Sequence, residues 1–299
     1  MAGAKDIKRR IKSIGNTKKI TKAMEMVSAV KMRKSVLSAV QVRPYARTSL
    51  LVFSNLAGRL GKDEHPFLKK REINKELVLI ITSNRGLCGN FNSQILKKVY
   101  EKARDKKDKI DFITIGKKGE TTLRNRDFNI IASFNNLSYI PKVEEVRPIV
   151  KIITEGFLGG SYDKVEIVYA DYKSAILSVP RLRQLLPVSK EELVAEIDEM
   201  NILGKEYVEN NSSVQYKIEP TPKDVLDSVI PRIIEMQIYH AILESKASEE
   251  SARMMAMKNA TDAALDMISS LNSSYNKARQ AKITQEISEI SAGRAALEE

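Results

Sequence analysis

Apolar residues recur at helical spacing near both ends of the chain, and this pattern changes in the middle. Near the N-terminus the apolar positions are Ile7, Ile11, Ile14, Met24 and Val27, and Lys31 continues the same helical spacing. No proline occurs between residues 4 and 43. The pattern predicts an amphipathic helix of about 40 residues, roughly 60 Å long at the standard helical rise. A helix of that length extends past any compact domain that covers part of it.

The C-terminal pattern predicts a longer helix that carries a coiled-coil seam. Only Gly293 interrupts the chain from Arg232 to Leu297, which predicts a helix of about 65 residues. Its heptad positions are Met254, Met257, Thr261, Ala264, Ile268, Leu271, Tyr275 and Ala278. Their alternating spacing is typical of a left-handed coiled coil. Small side chains in the seam favour packing against a different helix over a homodimeric zipper. Each helix has only a half-apolar stripe, so we expect residues 4–43 to lie beside residues 225–270.

Between the two helical ends, short apolar runs alternate with helical segments. The predicted strands are Leu77–Thr82, Asp111–Ile115, Ile130–Phe134, Lys164–Tyr169 and Arg181–Leu186, and the predicted helices are Asn92–Arg104, Lys117–Arg124 and Val143–Phe157. Such alternation predicts an open α/β sheet with right-handed crossovers. The domains expected are an N-terminal coil helix at 1–58, an α/β globular domain at 75–190, a connector or foot at 191–222 and a C-terminal coil helix at 223–299.

The net charge of +12 is concentrated at the N-terminus. Residues 1–47 contain thirteen basic and two acidic residues, a net charge of +11, and the rest of the chain contributes +1. A cationic helix of this kind attracts a polyanion, which is a nucleic acid, a lipid surface or an acidic protein face. Tyr45 is the only aromatic residue before Phe53, so base stacking has no support.

One loop holds the candidate chemistry. Gly86–Gly89 lies between a predicted strand and a predicted helix, where nucleotide-binding folds place phosphate loops. The established glycine-rich phosphate-loop spacings are absent, which favours a tight structural turn. Cys88 would start the following helix, where a thiol can become nucleophilic. The two histidines, His65 and His240, are distant in sequence, which favours an inert buried thiol.

The scarcity of ligating residues limits cofactor chemistry. One cysteine rules out an intrachain disulfide, and two histidines without metal-binding spacing predict no metal site. We expect no cofactor and no catalytic residue. The chain also lacks an apolar run long enough to span a bilayer and an apolar signal core.

Three stretches resemble the γ subunit of F-type ATP synthase, the rotor shaft of that complex. They are IGNTKKITKAMEMVSAVKMRK at Ile14–Lys34, RGLCG at Arg85–Gly89, and the segment Ala252–Ile290, with RPYA at Arg43–Ala46 in addition. The resemblance covers the whole chain. Asn84, Ala263 and Arg294 depart from the family pattern, which puts fine contacts at those positions in question.

This resemblance implies the fold and the role of the chain. The terminal helices would form a long antiparallel coiled coil, with a Rossmann-like α/β domain between them. The chain would be a non-catalytic subunit, present in one copy, that couples ion flow to ATP synthesis. Its implied partners are the catalytic hexamer of α and β subunits, the ε subunit and the c-ring, and no nucleic acid. The implied location is the cytoplasmic face of the bacterial inner membrane, with an organellar membrane as the alternative.

Residues that match the family's contact regions form three groups. Those at the height of an acidic catalytic-subunit loop are Lys22, Met24 and Glu25. Those that match polar contacts with the hexamer are Arg253, Lys258, Asn259, Thr261, Arg279, Gln280 and Thr284. Foot contacts with the ring are expected from Tyr207, Tyr216 and a turn at residues 41–47.

Two other functions compete with the shaft. A nucleic-acid-binding α/β protein would explain the basic arm, but it lacks aromatic residues and a known binding motif. A dinucleotide-dependent enzyme would explain the α/β domain, but the phosphate fingerprint and an acid–base pair are missing. Copurification with a nucleotide-binding hexamer distinguishes the shaft from both.

Overall fold

The computed structural model describes residues 4–57, 65–104, 106–189 and 221–298. Two long helices, α1 (Ala4–Ala57) and α5 (Pro222–Glu298), stand at the ends of the chain. The chain divides into two compact units. The smaller unit combines residues 1–29 with residues 253–299, and the larger one comprises residues 30–252.

The smaller unit is a two-helix coiled coil whose seam matches the heptad predicted for the C-terminal helix. On α5 the shielded positions are Met257, Thr261, Ala264, Ile268, Leu271, Tyr275 and Ala278, and on α1 they are Ile7, Ile11, Ile14, Lys18, Thr21, Glu25 and Ser28. The hydroxyls of Thr21 and Thr261 lie 2.7 Å apart inside the seam. The alternating spacing on both helices is that of knobs-into-holes packing.

The Thr21–Thr261 contact fixes the register of the coil. In an antiparallel pair it places Ile14 opposite Ile268 and Ala4 opposite Ala278. Shielding on α5 stops after Ala278, the residue that lies opposite Ala4, where α1 begins. A parallel pair would not stop there, so the burial pattern supports the antiparallel arrangement. Val27, which we expected in the seam, is exposed, and Ser28 takes the buried place because it continues the spacing from Glu25.

The larger unit is built on a five-stranded sheet in the order β3-β2-β1-β4-β5. Its strands are β1 (Glu76–Ile81), β2 (Ile110–Ile115), β3 (Asn129–Phe134), β4 (Lys164–Tyr172) and β5 (Ser178–Leu186). The intervening helices are α2 (Phe91–Ala103), α3 (Lys117–Arg124) and α4 (Val143–Leu158). Strands β1 to β4 are parallel, and β5 runs antiparallel to β4. The prediction of an open α/β sheet is confirmed.

Helices cover both faces of this sheet, which explains why β1 is apolar throughout. Leu77, Leu79 and Ile81 pack in one core cluster with α4 and with the part of α5 before Glu244. Val78 and Ile80 point to the other face and pack with α2 and α3. Strands that are buried on both sides have no polar alternation, and all six β1 residues are buried.

The N-terminal helix is longer than its predicted core of 4–43. The expected turn at residues 41–47 is wrong, because α1 continues through Pro44 to Ala57. A proline inside a helix removes a single backbone hydrogen bond, so the helix can continue at a cost of about 3 kcal/mol. Most of the predicted connector at 191–222 lies outside the described residues.

A buried ion network joins α2 to the amino-terminal end of the sheet. The Lys102 ammonium contacts the carboxylates of both Glu76 and Glu166, which are buried. Lys164 adds a second contact to Glu166 at 2.7 Å. Burial raises the pKa of Glu76, but the hydrogen bond and positive charge of Lys102 outweigh it and hold the pKa below its ordinary 4.5. The carboxylate is therefore ionised at neutral pH and depends on its cation.

We predict that Lys102→Met lowers the free energy of unfolding of the larger unit by about 3–5 kcal/mol at pH 7, because it leaves buried carboxylates without their main cation. Urea denaturation followed by circular dichroism measures the loss. The exposed Lys97→Met on the same helix is the control and should change stability by less than about 0.5 kcal/mol. A depressed carboxylate pKa contributes stability that is fully present above the unfolded value of 4.5 and is lost as the pH falls through the lower folded value. The difference in unfolding free energy between wild type and Lys102→Met should therefore shrink progressively below pH 4.5. Equal losses in both variants would contradict this assignment.

We also predict that Thr21→Cys combined with Thr261→Cys forms an intrachain disulfide under mild oxidation, because the two hydroxyls already lie 2.7 Å apart. Non-reducing gel electrophoresis should show a shifted band at monomer mass that disappears with a reductant. The control pair Val27→Cys and Thr261→Cys should not close, since Val27 is on the outer face. Crosslinks only between chains would disprove the pairing of the two helices within one chain.

Candidate functional site

The first candidate site is the crevice at the carboxyl ends of β1 and β4. In open α/β sheets, ligands bind where the strand order reverses, outside the carboxyl ends of the strands. Here the chain proceeds from β1 outward to β2 and β3 and then returns to place β4 on the other side of β1. The reversal therefore lies between β1 and β4. A nucleotide, if this were a nucleotide-binding domain, would be expected at this position.

Helix α5 occupies this crevice. Before Glu244 it packs on the α4 face of the sheet, and at Ala252 it packs against the core of the α2 face. Between these points three buried serines, Ser245, Ser248 and Ser251, meet the end of β4 and the hairpin that follows it. The helix thus crosses the sheet over the end of β1.

The serines replace strand partners that β4 loses where β1 ends. The last β1 residue paired with β4 is Ile80, opposite Val168. Ala170 lies opposite Pro180 of β5, which has no N–H, so both polar groups of Ala170 must point toward the β1 side. There the Ala170 N–H donates to Ser245 Oγ at 2.9 Å, and Ser248 Oγ donates to the Ala170 carbonyl at 3.3 Å.

The start of α3 is closed to a phosphate in a different way. Helix N-termini bind anions through backbone N–H groups that lack a partner. In α3, Lys117 N donates to Asn84 Oδ1, Lys118 N to the Ser83 carbonyl and Gly119 N to Thr82 Oγ1, all within 3.0 Å. This close approach requires glycine at position 116, where φ is 95° and a Cβ would lie 2.2 Å from the Thr82 carbonyl oxygen.

The β1–α2 loop is held together by its own side chains. Ser83 N–H donates to Asn92 Oδ1 at 3.0 Å, and Asn92 Nδ2 donates to Ser83 Oγ at 2.7 Å and to Cys88 Sγ at 3.3 Å. Cys88 is 2% exposed. Its polar neighbours in the described structure are Ser83, Asn92 and the Arg85 carbonyl, none of which is a base. The burial of the thiol and the bonds within the loop agree with the buried cysteine and the structural turn favoured above.

Metal ligands and membrane spans were the other features considered from composition, and both concern the described residues. No group of three or more His, Cys, Asp or Glu side chains is arranged to hold a metal ion there. Among the described helices, none is long and apolar enough to cross a bilayer.

The second candidate site is the outer surface of the coiled coil. The cations of α1 lie mainly on exposed faces, and Lys18 is the one that falls in the seam among residues 4–28. Lys22 is exposed and forms an ion pair with Glu25 at 3.0 Å. Glu25 is only partly accessible because it occupies a seam position, and Met24 beside it is half-buried. Of these three predicted contacts, Lys22 is the most accessible.

The predicted contacts on α5 differ in accessibility. Lys258, Asn259, Arg279, Gln280 and Thr284 are all exposed. Arg253 is buried, and Thr261 is 5% exposed because its hydroxyl faces Thr21. Thr261 therefore stabilises the coil from within, which differs from the outward contact we expected. Tyr207 and Tyr216 lie outside the described residues.

Exposed apolar residues on the same surface were missed by the sequence analysis. On α1 they are Ile20, Met26 and Val27, and on α5 beyond the paired region they are Ile283, Ile287 and Ile290. Ile290 is 72% exposed. The sequence spacing could have predicted these exposed stripes. Ile20 and Val27 are seven residues apart, and the three isoleucines of α5 are four and then three residues apart. Such exposed apolar stripes mark protein contacts.

Comparisons with known proteins agree with this arrangement. A family model described as ATP synthase matches residues 3–297. The ATP synthase gamma chain of Legionella pneumophila strain Corby is 38% identical over 99% of this chain and all of its own length. The gamma chain of Pelotomaculum thermopropionicum is 39% identical, with complete coverage of both chains.

Solved structures give the same result. A chain from the central stalk and c-ring of the Tetrahymena thermophila mitochondrial ATP synthase matches with a TM-score of 0.57 and 25% identity, covering 81% of this chain and 99% of that one. A chain from the Euglena gracilis mitochondrial ATP synthase rotor has a TM-score of 0.64 and 19% identity, covering 94% and 98%, and shows the shared fold.

Fold and surfaces together define a shaft-type subunit, in which a helical coiled coil is combined with an α/β domain whose ligand crevice is filled. The chain belongs to the ATP synthase γ chain family. Its role is that of the central shaft of an ATP synthase.

Proposed function

We propose that this chain transmits torque inside an F-type ATP synthase without a catalytic site of its own. The observation that carries this proposal is the path of α5 across the carboxyl end of β1, where an α/β enzyme would bind its nucleotide. The occupied start of α3 supports it further. The synthesis and hydrolysis of ATP then belong to other subunits of the complex.

The partners proposed are the α/β hexamer, the ε subunit and the c-ring, with one copy of this chain in each complex. The coiled coil and the tail of α5 after Ala278 would enter the axial cavity of the hexamer. The exposed isoleucines of that tail suit an apolar lining better than water. The α/β domain and the residues between Ser189 and Thr221 would meet the ring and ε. In a bacterium the chain would lie at the cytoplasmic face of the inner membrane as a peripheral subunit.

The surface of the coil suits a turning contact. Exposed ion pairs contribute only about 0–1 kcal/mol each, so they can be exchanged at every step of rotation. Lys12 and Lys19 lie on exposed faces of α1. Apolar residues such as Ile20 add contacts without directional bonds, so they do not fix one angle. We propose Lys22, Lys258, Asn259, Arg279, Gln280 and Thr284 as the predicted polar contacts that remain available.

We predict that the purified chain hydrolyses no ATP above background, because the crevice and the start of α3 leave no place for the phosphates. A coupled phosphate-release assay across successive purification steps measures this. The same preparation should assemble with the hexamer, which shows that it is folded. Turnover that rises with purity would refute the proposal.

We predict that Lys12→Gln with Lys19→Gln slows association with the hexamer several-fold at low salt and changes it little at high salt. Removing two exposed cations weakens long-range attraction to an acidic partner, and salt already screens that attraction beyond about 10 Å at 0.1 M. Stopped-flow assembly at two ionic strengths measures the effect.

The matched control for this charge change is Lys97→Gln with Lys98→Gln, two exposed residues on α2. It removes the same charge from the larger unit and should leave the association rate nearly unchanged. A loss of assembly that is independent of salt would show that specific contacts of Lys12 or Lys19 dominate. Equal slowing by both pairs would show that only net charge matters.

A further inference from the structure

Three serines on α5 form a contact set that the known role of the chain does not assign. Ser245, Ser248 and Ser251 are spaced three residues apart and are 1%, 0% and 5% exposed. Each makes a hydrogen bond to backbone that belongs to β4 or its following hairpin. Serine has lower helix propensity than alanine, so three buried serines on one side of a helix have a use other than helix formation.

Their bonds are directional, unlike the apolar contacts nearby. Ser245 accepts from the Ala170 N–H, and Ser248 donates to the Ala170 carbonyl, so one residue of β4 is held from two successive turns of α5. Ser251 donates to the Ala175 carbonyl in the β4–β5 hairpin. Close-packed apolar side chains resist sliding, but their contacts are not donor–acceptor pairs and can re-form after a small shift. A paired N–H and C=O fix both the axial position and the rotation of the helix.

Breaking this contact would be costly. Ala170 is 4% exposed, and β1 ends too early to supply an alternative partner. A buried backbone group without a partner is destabilising by an amount comparable to a lost hydrogen bond. Slippage of α5 by one residue would separate both groups of Ala170 from their serines. The sheet and the helix are therefore held in one register.

We propose that Ser245, Ser248 and Ser251 act as positioning residues that lock α5 to the end of β4, so that torque applied to the α/β domain reaches α5 without slip. The proposal rests on the shaft role of the chain. It assigns the stiffness of this junction to hydrogen bonds on one strand end rather than to the surrounding apolar core. The serines take no part in ATP chemistry.

The test uses the assembled synthase in sealed vesicles with Ser245→Ala and Ser248→Ala together. We expect ATP hydrolysis to remain close to wild type while the protons pumped for each ATP hydrolysed decrease. Single-molecule measurement of the torsional stiffness of the rotor should show a softer junction. The control, Ser228→Ala, removes an exposed serine from the same helix outside the coiled coil and should match wild type in both measurements.

Hydrogen exchange gives an independent result on the free full-length chain. Loss of the Ser245 acceptor should accelerate exchange of the Ala170 amide roughly tenfold, consistent with one hydrogen bond.

If the double variant does not assemble, the single variants replace it in the coupling measurement. Ser245→Ala should then impair coupling more than Ser248→Ala, because an unpaired N–H is tolerated less well than a carbonyl.

Two outcomes overturn the proposal. One is a double variant that pumps protons as efficiently as wild type and has unchanged stiffness. The other is an equal decrease in the exposed-serine control. Failure of the shaft role is distinguishable, since it would appear as a wild-type chain that does not assemble with the hexamer and the ring.

Discussion

The crossing of α5 over the carboxyl end of β1 is the constraint on which the larger unit depends. Because β1 ends before β4, the polar groups of Ala170 need partners, and the serines of α5 supply them. The same crossing lets one helix contribute to the cores on both faces of the sheet. A helix in this position removes the space in which related architectures bind ligands.

This arrangement relates the fold to its mechanical use. An α/β sheet with a filled crevice retains the stiffness of a core packed on both faces and loses the ligand site. The buried network around Lys102 holds α2 against the opposite end of the sheet. Charged networks of this kind are costly to break once formed, although they add little net stability compared with apolar packing. Directional bonds thus hold the sheet at both ends.

The coiled coil combines a specific interior with an adaptable exterior. Inside the seam, Thr21 and Thr261 fix the register with a polar contact, as buried polar residues do in other coiled coils. Outside, Lys22 and the exposed isoleucines offer contacts that can be exchanged. This division explains why Thr261 is unsuited to an outward contact despite its place in a family motif.

The sequence alone determined the helical ends, the heptad of α5 and the alternating order of the α/β unit, because these depend on local spacing of apolar residues. Local pattern also indicated that Gly86–Gly89 was a turn. It could not show that Ser28 rather than Val27 is buried, or that α1 continues through Pro44. Only the tertiary structure decided the pairing of Ala170 with Ser245 and Ser248. That contact joins residues about 75 positions apart. Ala170 needs the serines because β1 stops pairing with β4 at Ile80, and no local pattern in the sequence shows where that pairing stops.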